Sequence, residues 1–188
     1  MKKLSIKIFI FFLLSSFLFS FSLKANKIGS ETGYEIPRFV SLKSNNVNLR
    51  IGSSKNYPII LKYVTKNLPI KIIEEYGSWR KIIDIENNQG WIHKSLLKGD
   101  RYGIINQTHK YNLKILNKPK GNIIGEIGKN NLIKINRCLI NWCLIEYKKN
   151  KGWIKKDNLW GVFKDEKFNI PFYQIIYTFI WKFNFLST

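Results

Sequence analysis

Two ten-residue stretches, GWIHKSLLKG at residues 90–99 and GWIKKDNLWG at residues 152–161, decide the fold. They align without a gap, 62 residues apart. Upstream of them, GSWRKIID at residues 77–84 matches INWCLIEY at residues 140–147 at almost the same spacing. A repeat of this length corresponds to a whole module and not to one unit of a solenoid. The chain therefore contains two related modules.

Each module has the pattern of short β-strands. Residues 58–64 and 70–73 are rich in β-branched side chains and are bounded by turn residues. Residues 79–85 precede a turn with Asn87 and Gly90, and the chain then continues as a second strand, which indicates a hairpin. Neither module carries an apolar stripe of helical period. Five short strands in about 60 residues favour an all-β class and a small, strongly bent barrel.

Four stretches of the first module carry a family resemblance: VNLRIGSSKNYPII, LPIKII, GSWRKI and GWIHKSLL. They are similar to the bacterial SH3-like (SH3b) domain family, although Ser53 stands where the opening turn of the family has Pro. The second module keeps the Trp142 strand and the Gly-Trp-Ile close, but its opening at residues 112–116 lacks the family's Gly. The resemblance implies two tandem SH3-like small barrels, at residues 36–100 and 104–163.

The arrangement of residues 36–166 also resembles a group of exported tandem SH3-like proteins of Gram-negative bacteria. The shared features are PRFVSLK before the first turn, a Cys-x4-Cys with Trp before the second Cys, and LWGV near the end. SH3b modules are implied to bind cell-wall peptides or to target hydrolases to peptidoglycan. The resemblance therefore implies a cell-wall peptide or an envelope protein as partner.

The first 25 residues, MKKLSIKIFIFFLLSSFLFSFSLKA, have the layout of a secretory signal peptide. Three Lys precede an apolar stretch at residues 8–21, which is shorter than the roughly 20 residues that span a bilayer. We predict a signal peptide at residues 1–25, with cleavage near Ala25 and Ser22 as the rival site. An uncleaved membrane anchor is the alternative. The expected location is the periplasm or another exported compartment.

The net charge of +20 suggests nucleic acid as a first hypothesis. An exported protein does not meet chromosomal DNA, so the leader argues against that hypothesis. The excess is also uneven, with 27 Lys against 5 Arg and with 20 Asn, as the codons of an AT-rich genome favour. Two interpretations of the Lys-rich surface remain: solvated strand faces, or loose attraction to anionic envelope material.

Two cysteines, Cys138 and Cys143, enclose a tight connection before the Trp142 strand. In an oxidising compartment, a pair that faces across a hairpin would form a disulfide. Free thiols and a redox pair are the alternatives, but redox motifs are more often Cys-x-x-Cys at a helix start. We predict the disulfide Cys138–Cys143.

The sequence offers no catalytic constellation, no metal site and no cofactor motif. Both cysteines are expected to be bonded, and two isolated His, His93 and His109, do not supply a zinc ligand set. A glycosidase needs two facing carboxylates, and we expect neither the Glu74–Glu75 pair nor Asp84 to be buried. The chain is therefore predicted not to be an enzyme.

Aromatic residues are the better candidates for a site. Tyr57 and Pro58 follow the irregular turn at residues 52–56, where an SH3 barrel exposes its ligand groove, and Tyr63 lies nearby. Arg50 could pair with a peptide carboxylate, or it could tie down the turn. Four strand tryptophans allow core packing or a site: Trp79, Trp91, Trp142 and Trp153.

The aromatic-rich tail at residues 167–188 has three interpretations: packing on the second barrel, contact with a membrane surface, or a frayed end. The function predicted from these features is that of an exported, non-enzymatic binding protein for cell-wall peptide or envelope protein ligands. A protein–protein scaffold in the periplasm or at the membrane is the first alternative. A nucleic-acid binder is the second.

Overall fold

The computed structural model describes residues 27–106 and 112–171. The predicted signal peptide lies outside the described residues, as do His109 and residues 172–188 of the tail. The described chain has sixteen strands and two single-turn 3-10 helices, and within it no helix is long and apolar enough to cross a membrane. The all-β class is confirmed.

An N-terminal pair of two-residue strands precedes the first module. The strands are β1 (Lys27–Ile28) and β2 (Glu35–Ile36), which pair antiparallel. We call residues 27–36 the N-terminal hairpin. It contacts the first sheet through Glu75, as described below.

The first module is a seven-stranded antiparallel sheet in the order β5-β4-β8-β7-β6-β3-β9. Its strands are β3 (Arg38–Leu42), β4 (Val47–Arg50), β5 (Ile59–Tyr63), β6 (Pro69–Tyr76), β7 (Trp79–Ile83), β8 (Gln89–His93) and β9 (Leu97–Lys98). The hairpin predicted around Asn87 is β7–β8, and Asn87 itself has a positive φ of 66°.

The second module repeats this topology in the order β12-β11-β15-β14-β13-β10-β16. Its strands are β10 (Tyr102–Ile105), β11 (Leu113–Leu116), β12 (Ile123–Ile127), β13 (Leu132–Cys138), β14 (Trp142–Tyr147), β15 (Asn150–Lys155) and β16 (Leu159–Trp160). The repeat of one topology in two modules agrees with the sequence, but the expected small barrels differ from the structure in two details. Each module has seven strands and not five, and each sheet stays open because its two outermost strands do not pair with each other.

The two cores consist of aliphatic side chains from alternate strand positions. In the first module Ile82 and Ile92 are fully buried, and Ile145 and Ile154 hold the matching positions in the second. Successive side chains of a strand point to opposite faces. The four strand tryptophans therefore lie half-buried on the other face, outside the buried cores.

Glu75 on β6 attaches the N-terminal hairpin to the first sheet. Its side chain is fully buried and accepts hydrogen bonds from the Thr32 hydroxyl at 2.8 Å and from Arg38 Nη2 at 2.6 Å. Burial alone would raise the pKa of the Glu75 carboxyl, but the hydrogen bonds from Arg38 and Thr32 outweigh it and lower the pKa to about 2. The expectation that Glu75 is exposed was wrong, because its partners lie about 40 residues upstream, beyond the reach of local pattern.

The C-terminal segment is attached to the second module in a comparable way. Lys156 is buried and donates from Nζ to the carbonyl oxygens of Lys164 and Glu166, while burial lowers its pKa. Phe168 forms an isolated β-bridge with Cys138. The first residues of the tail thus pack on the second module, which agrees with one of its three interpretations.

The two modules contact each other through aromatic rings. Phe39 of β3 meets the Trp160 ring edge-on with centroids 5.2 Å apart, and it meets Phe163 at 4.8 Å. Lys71 of β6 places its Nζ 5.4 Å from the centroid of Trp160. Residues at the end of the second module therefore cover the start of the first.

Candidate ligand-binding site

The turn between β4 and β5 is closed by its own hydrogen bonds. Arg50 Nη1 donates to the carbonyl oxygen of Tyr57 at 2.6 Å, and the Ile51 N–H donates to Pro58 at 3.2 Å. Arg50 therefore does tie down the turn, which was the structural alternative for this residue. Its guanidinium still has further N–H groups, because one donor of five makes this bond.

Gly52 leaves room for the Tyr57 ring. A Cβ placed on Gly52 would lie 2.5 Å from the Tyr57 ring, closer than carbon atoms approach. The ring is thus seated against the backbone of the opening turn. It remains 47% exposed, and Pro58 beside it is exposed as well. Tyr57, Pro58 and Arg50 form one continuous surface, which we call the turn surface.

Tyr63 does not belong to the turn surface. It is buried in the first core, and its hydroxyl donates to Asp84 Oδ2 at 2.9 Å. Burial, and then the bond to Asp84, raise the pKa of Tyr63. The interpretation of Tyr63 as a ligand contact needs correction, because in β5 its side chain takes the inward-facing position of the alternation.

Asp84 is also buried, contrary to the expectation that it is exposed. Besides Tyr63, it accepts hydrogen bonds from the backbone N–H groups of Glu86 and Asn88, at 2.9 and 2.8 Å. A carboxylate occupied in this way closes the β7–β8 turn. With a fourth hydrogen bond from the Asn88 side-chain amide at 2.9 Å, these contacts account for its burial, and its role is therefore structural.

A row of half-buried side chains extends the turn surface across the sheet. Arg50 on β4 is the direct neighbour of Trp91 on β8, and Trp91 is the neighbour of Lys81 on β7. Two residues further along β7 and β8, Trp79 stands opposite His93, with ring centroids 5.4 Å apart. An aromatic surface flanked by guanidinium and ammonium groups suits a flat or aliphatic ligand that carries a carboxylate.

The second module lacks the arginine of this surface. Leu116 takes the place of Arg50 beside Trp153, and Lys155 takes the place of His93 opposite Trp142. The turn after β11 is closed instead by Asn117, whose side chain accepts from the Asn122 N–H at 3.0 Å. Only the first module therefore combines Arg, Tyr and Pro at this turn.

His93 has a local partner, since its Nδ1 lies 2.8 Å from the Ser95 hydroxyl. Among the residues that the structure describes, no group of three or more His, Cys, Asp or Glu is placed to hold a metal ion. The predicted disulfide between Cys138 and Cys143 is confirmed. It joins β13 to β14 directly beside the bridge to Phe168.

The sequence predicts Arg50, Tyr57 and Pro58 as ligand contacts, but it does not predict that Trp91 lies beside Arg50. The alternation of strand side chains does indicate that Trp91 faces away from the core, because the next residue, Ile92, faces inward. Pairing Trp91 with Arg50 requires the β4–β8 contact, which links strands about 40 residues apart.

Comparison of the sequence with family models and with curated proteins shows which family the chain is similar to. The family model described as bacterial SH3 domain matches residues 43–99 and 118–161, which together make up more than half of the chain. A search of curated proteins found no match.

Similar solved structures include two proteins from Trichomonas vaginalis and one from Bacillus cereus. NlpC1 and NlpC2 from Trichomonas vaginalis are 17% and 16% identical, with TM-scores of 0.30 and 0.31. The matched regions cover 70% and 72% of this chain, and 48% of NlpC1 and 52% of NlpC2. A NlpC/P60 family protein from Bacillus cereus is 10% identical, with a TM-score of 0.29. The match covers 65% of this chain and 55% of that protein. This chain thus spans about half of each neighbour, and likeness at this level carries no inference about activity.

Proposed function

Because this chain belongs to the bacterial SH3 domain family, with two copies in tandem, we propose that it is an exported, non-enzymatic protein that binds cell-wall peptide. The first module holds the ligand, and the second module supports it. The predicted signal peptide and the disulfide favour an oxidising compartment outside the cytoplasm. A peptide of the cell wall or of an envelope protein is the ligand that such a compartment supplies.

The single observation that carries this proposal is the turn surface itself. It places an exposed Tyr57 ring and Pro58 beside the Arg50 guanidinium, and Trp91 lies next to Arg50. Flat aromatic rings provide contact area at low entropic cost, and Arg can bind a carboxylate with two parallel hydrogen bonds. Extended, Pro-compatible peptides dock into aromatic grooves of this kind.

Co-sedimentation with purified peptidoglycan sacculi at low salt tests the proposal. We expect wild-type protein to pellet with sacculi and Tyr57→Ala to bind roughly tenfold more weakly, since truncating a central aromatic contact typically costs more than about 1 kcal/mol. Tyr76→Ala is the matched control, because Tyr76 is an exposed tyrosine at the far end of the β6–β7 hairpin. Absence of wild-type binding, or equal losses for the two variants, would contradict the proposal.

A scaffold for envelope proteins is a second candidate function, and one observation favours it. The edge strands of both sheets, β5 and β12, expose adjacent isoleucines: Ile59 with Ile60, and Ile123 with Ile124, each about half exposed. Unpaired edge strands offer backbone hydrogen bonds to an extended segment of another protein. The pattern is the same in both modules, so two partner segments could bind in equivalent ways.

The two functions differ in the residues on which they depend. A scaffold requires the edge strands, so Ile60→Lys should abolish co-purification of an envelope partner from a periplasmic extract while Tyr57→Ala leaves it unchanged. Cell-wall peptide binding predicts the reverse for sacculi. Crossing the two variants with the two assays therefore separates the alternatives.

A further inference from the structure

A cavity lies away from the turn surface, where the N-terminal hairpin meets the junction of the two modules. Its volume is about 550 Å³, within the range of small-molecule sites. Thr32 and Tyr34 of the hairpin form one wall, and Gly99 and Arg101 of the connection between the modules form another. The turn surface contributes no residue to it, so the two sites are separate.

The cavity is lined by five cationic side chains and by no acidic one: Arg38, Arg80, Lys94, Lys98 and Arg101. Three carboxylates that are not part of the lining pair with four of these cations. Glu75 forms ion pairs with Arg38 and Arg80. Asp100 pairs with Lys98, and Glu166 pairs with Arg101. Five positive charges against three negative ones leave an excess of two. Lys94 makes no ion pair with any of the described residues.

Two guanidinium nitrogen atoms at this cavity lack a hydrogen-bond acceptor among the described residues. They are Arg38 Nη1 and Arg101 Nε, and both atoms are buried. A buried donor that is not hydrogen-bonded destabilises the fold, so such a donor calls for an explanation. Both arginines are held in place by other bonds: Arg38 to Glu75, and Arg101 to Glu166 and to the Gly161 carbonyl oxygen. These two nitrogen atoms are closed to solvent, so a ligand would meet the accessible parts of the two fixed side chains, which are 20% and 18% exposed.

The remaining lining is apolar and aromatic: Tyr34, Phe39, Val40, Ile72 and Leu97. An inorganic anion would use the cationic groups and leave this surface uncovered. A ligand that joins one carboxylate to an aliphatic part would use both.

We propose that this cavity is a binding site for a short peptide or similar organic acid with a terminal carboxylate. The carboxylate lies against Arg38, Lys94 and Arg101, and the aliphatic part covers the apolar wall. The proposal goes beyond the function assigned to the turn surface, since a ligand can occupy one site without the other.

Titration of the full mature chain with N-acetyl-Leu-Ala, followed by NMR or calorimetry, tests the proposal. We expect the peptide with a free carboxylate to bind at least about tenfold more tightly than its C-terminal amide, because a hydrogen bond to a charged group contributes more than one to a neutral group. Lys94→Gln should weaken binding roughly threefold and Lys94→Gln with Lys98→Gln roughly tenfold, as expected for partly exposed charge pairs.

Lys62→Gln with Lys66→Gln is the matched control. Lys62 lies in β5 and Lys66 follows it, both are exposed, and the double substitution removes the same amount of charge. Equal binding of acid and amide, or equal weakening by the control pair, would overturn the proposal. So would inorganic phosphate that binds as tightly as the peptide, since the apolar wall would then contribute nothing. Tyr57→Ala should leave this binding unchanged, which separates its failure from failure at the turn surface.

Discussion

Replacing Glu75 by Gln removes the charge that holds the N-terminal hairpin on the first sheet. In the folded chain the pKa of this carboxyl is about 2, against an ordinary value of 4.5. At about 1.4 kcal/mol for each pH unit, the difference corresponds to about 3 kcal/mol of stability. Because the folded pKa is the lower one, this stability is present above about pH 4.5 and is lost as the pH falls toward 2. The buried guanidinium group of Arg80 and the partly buried one of Arg38 would remain without their anion.

Urea unfolding followed by tryptophan fluorescence at pH 7, 4 and 2.5 measures this contribution. We expect Glu75→Gln to lower the free energy of unfolding by about 3 kcal/mol at pH 7 and by little at pH 2.5. Glu74→Gln is the matched control, since the neighbouring Glu74 is 46% exposed and pairs loosely with Lys81 at 3.5 Å. It should change stability by less than about 1 kcal/mol. Equal losses for the two variants, or a Glu75→Gln loss independent of pH, would refute the reasoning.

Three further perturbations test other parts of the structure. Replacing both Cys138 and Cys143 by Ser should lower the free energy of unfolding by about 2 kcal/mol, as chain entropy predicts for so short a loop, and a reducing agent should then destabilise the wild type but not the variant. Tyr63→Phe should cost about 1–2 kcal/mol in urea unfolding because it removes a buried hydrogen bond, and an unchanged midpoint would contradict the buried position. Gly52→Ala should displace the Tyr57 ring and weaken binding to sacculi as much as Tyr57→Ala does; full binding would show that the seating of the ring is irrelevant.

The fold could be predicted from the sequence because its pattern is local and occurs twice. Both Gly-Trp-Ile strands alternate an inward Ile with an outward Trp, and the matched pairs Trp79–His93 and Trp142–Lys155 occur in the structure as the alignment implies. One additional strand in each module, β9 in the first and β16 in the second, was missed because it has only two residues. Strands this short leave no detectable alternation.

The candidate site was predictable only in part, because long-range partners decide burial. Glu75 and Asp84 looked like surface carboxylates, since acidic side chains are rarely buried unless paired. The Thr32 and Arg38 contacts that bury Glu75 come from a separate element of the chain. Tyr63 has a polar hydroxyl, which is typical of an exposed residue, but its position in β5 places the side chain in the core. Its hydroxyl donates a hydrogen bond to Asp84 there.

Chemical-shift mapping with a soluble cell-wall peptide tests the central claim most directly. The indole N–H signals of Trp79 and Trp91 report on the first module, and those of Trp142 and Trp153 report on the second. Our account predicts that the peptide shifts the Trp91 signal together with the backbone signals of Arg50 and residues 52–58, and that Tyr57→Ala removes these shifts. Shifts confined to the second module, or shifts that persist unchanged in Tyr57→Ala, would contradict it.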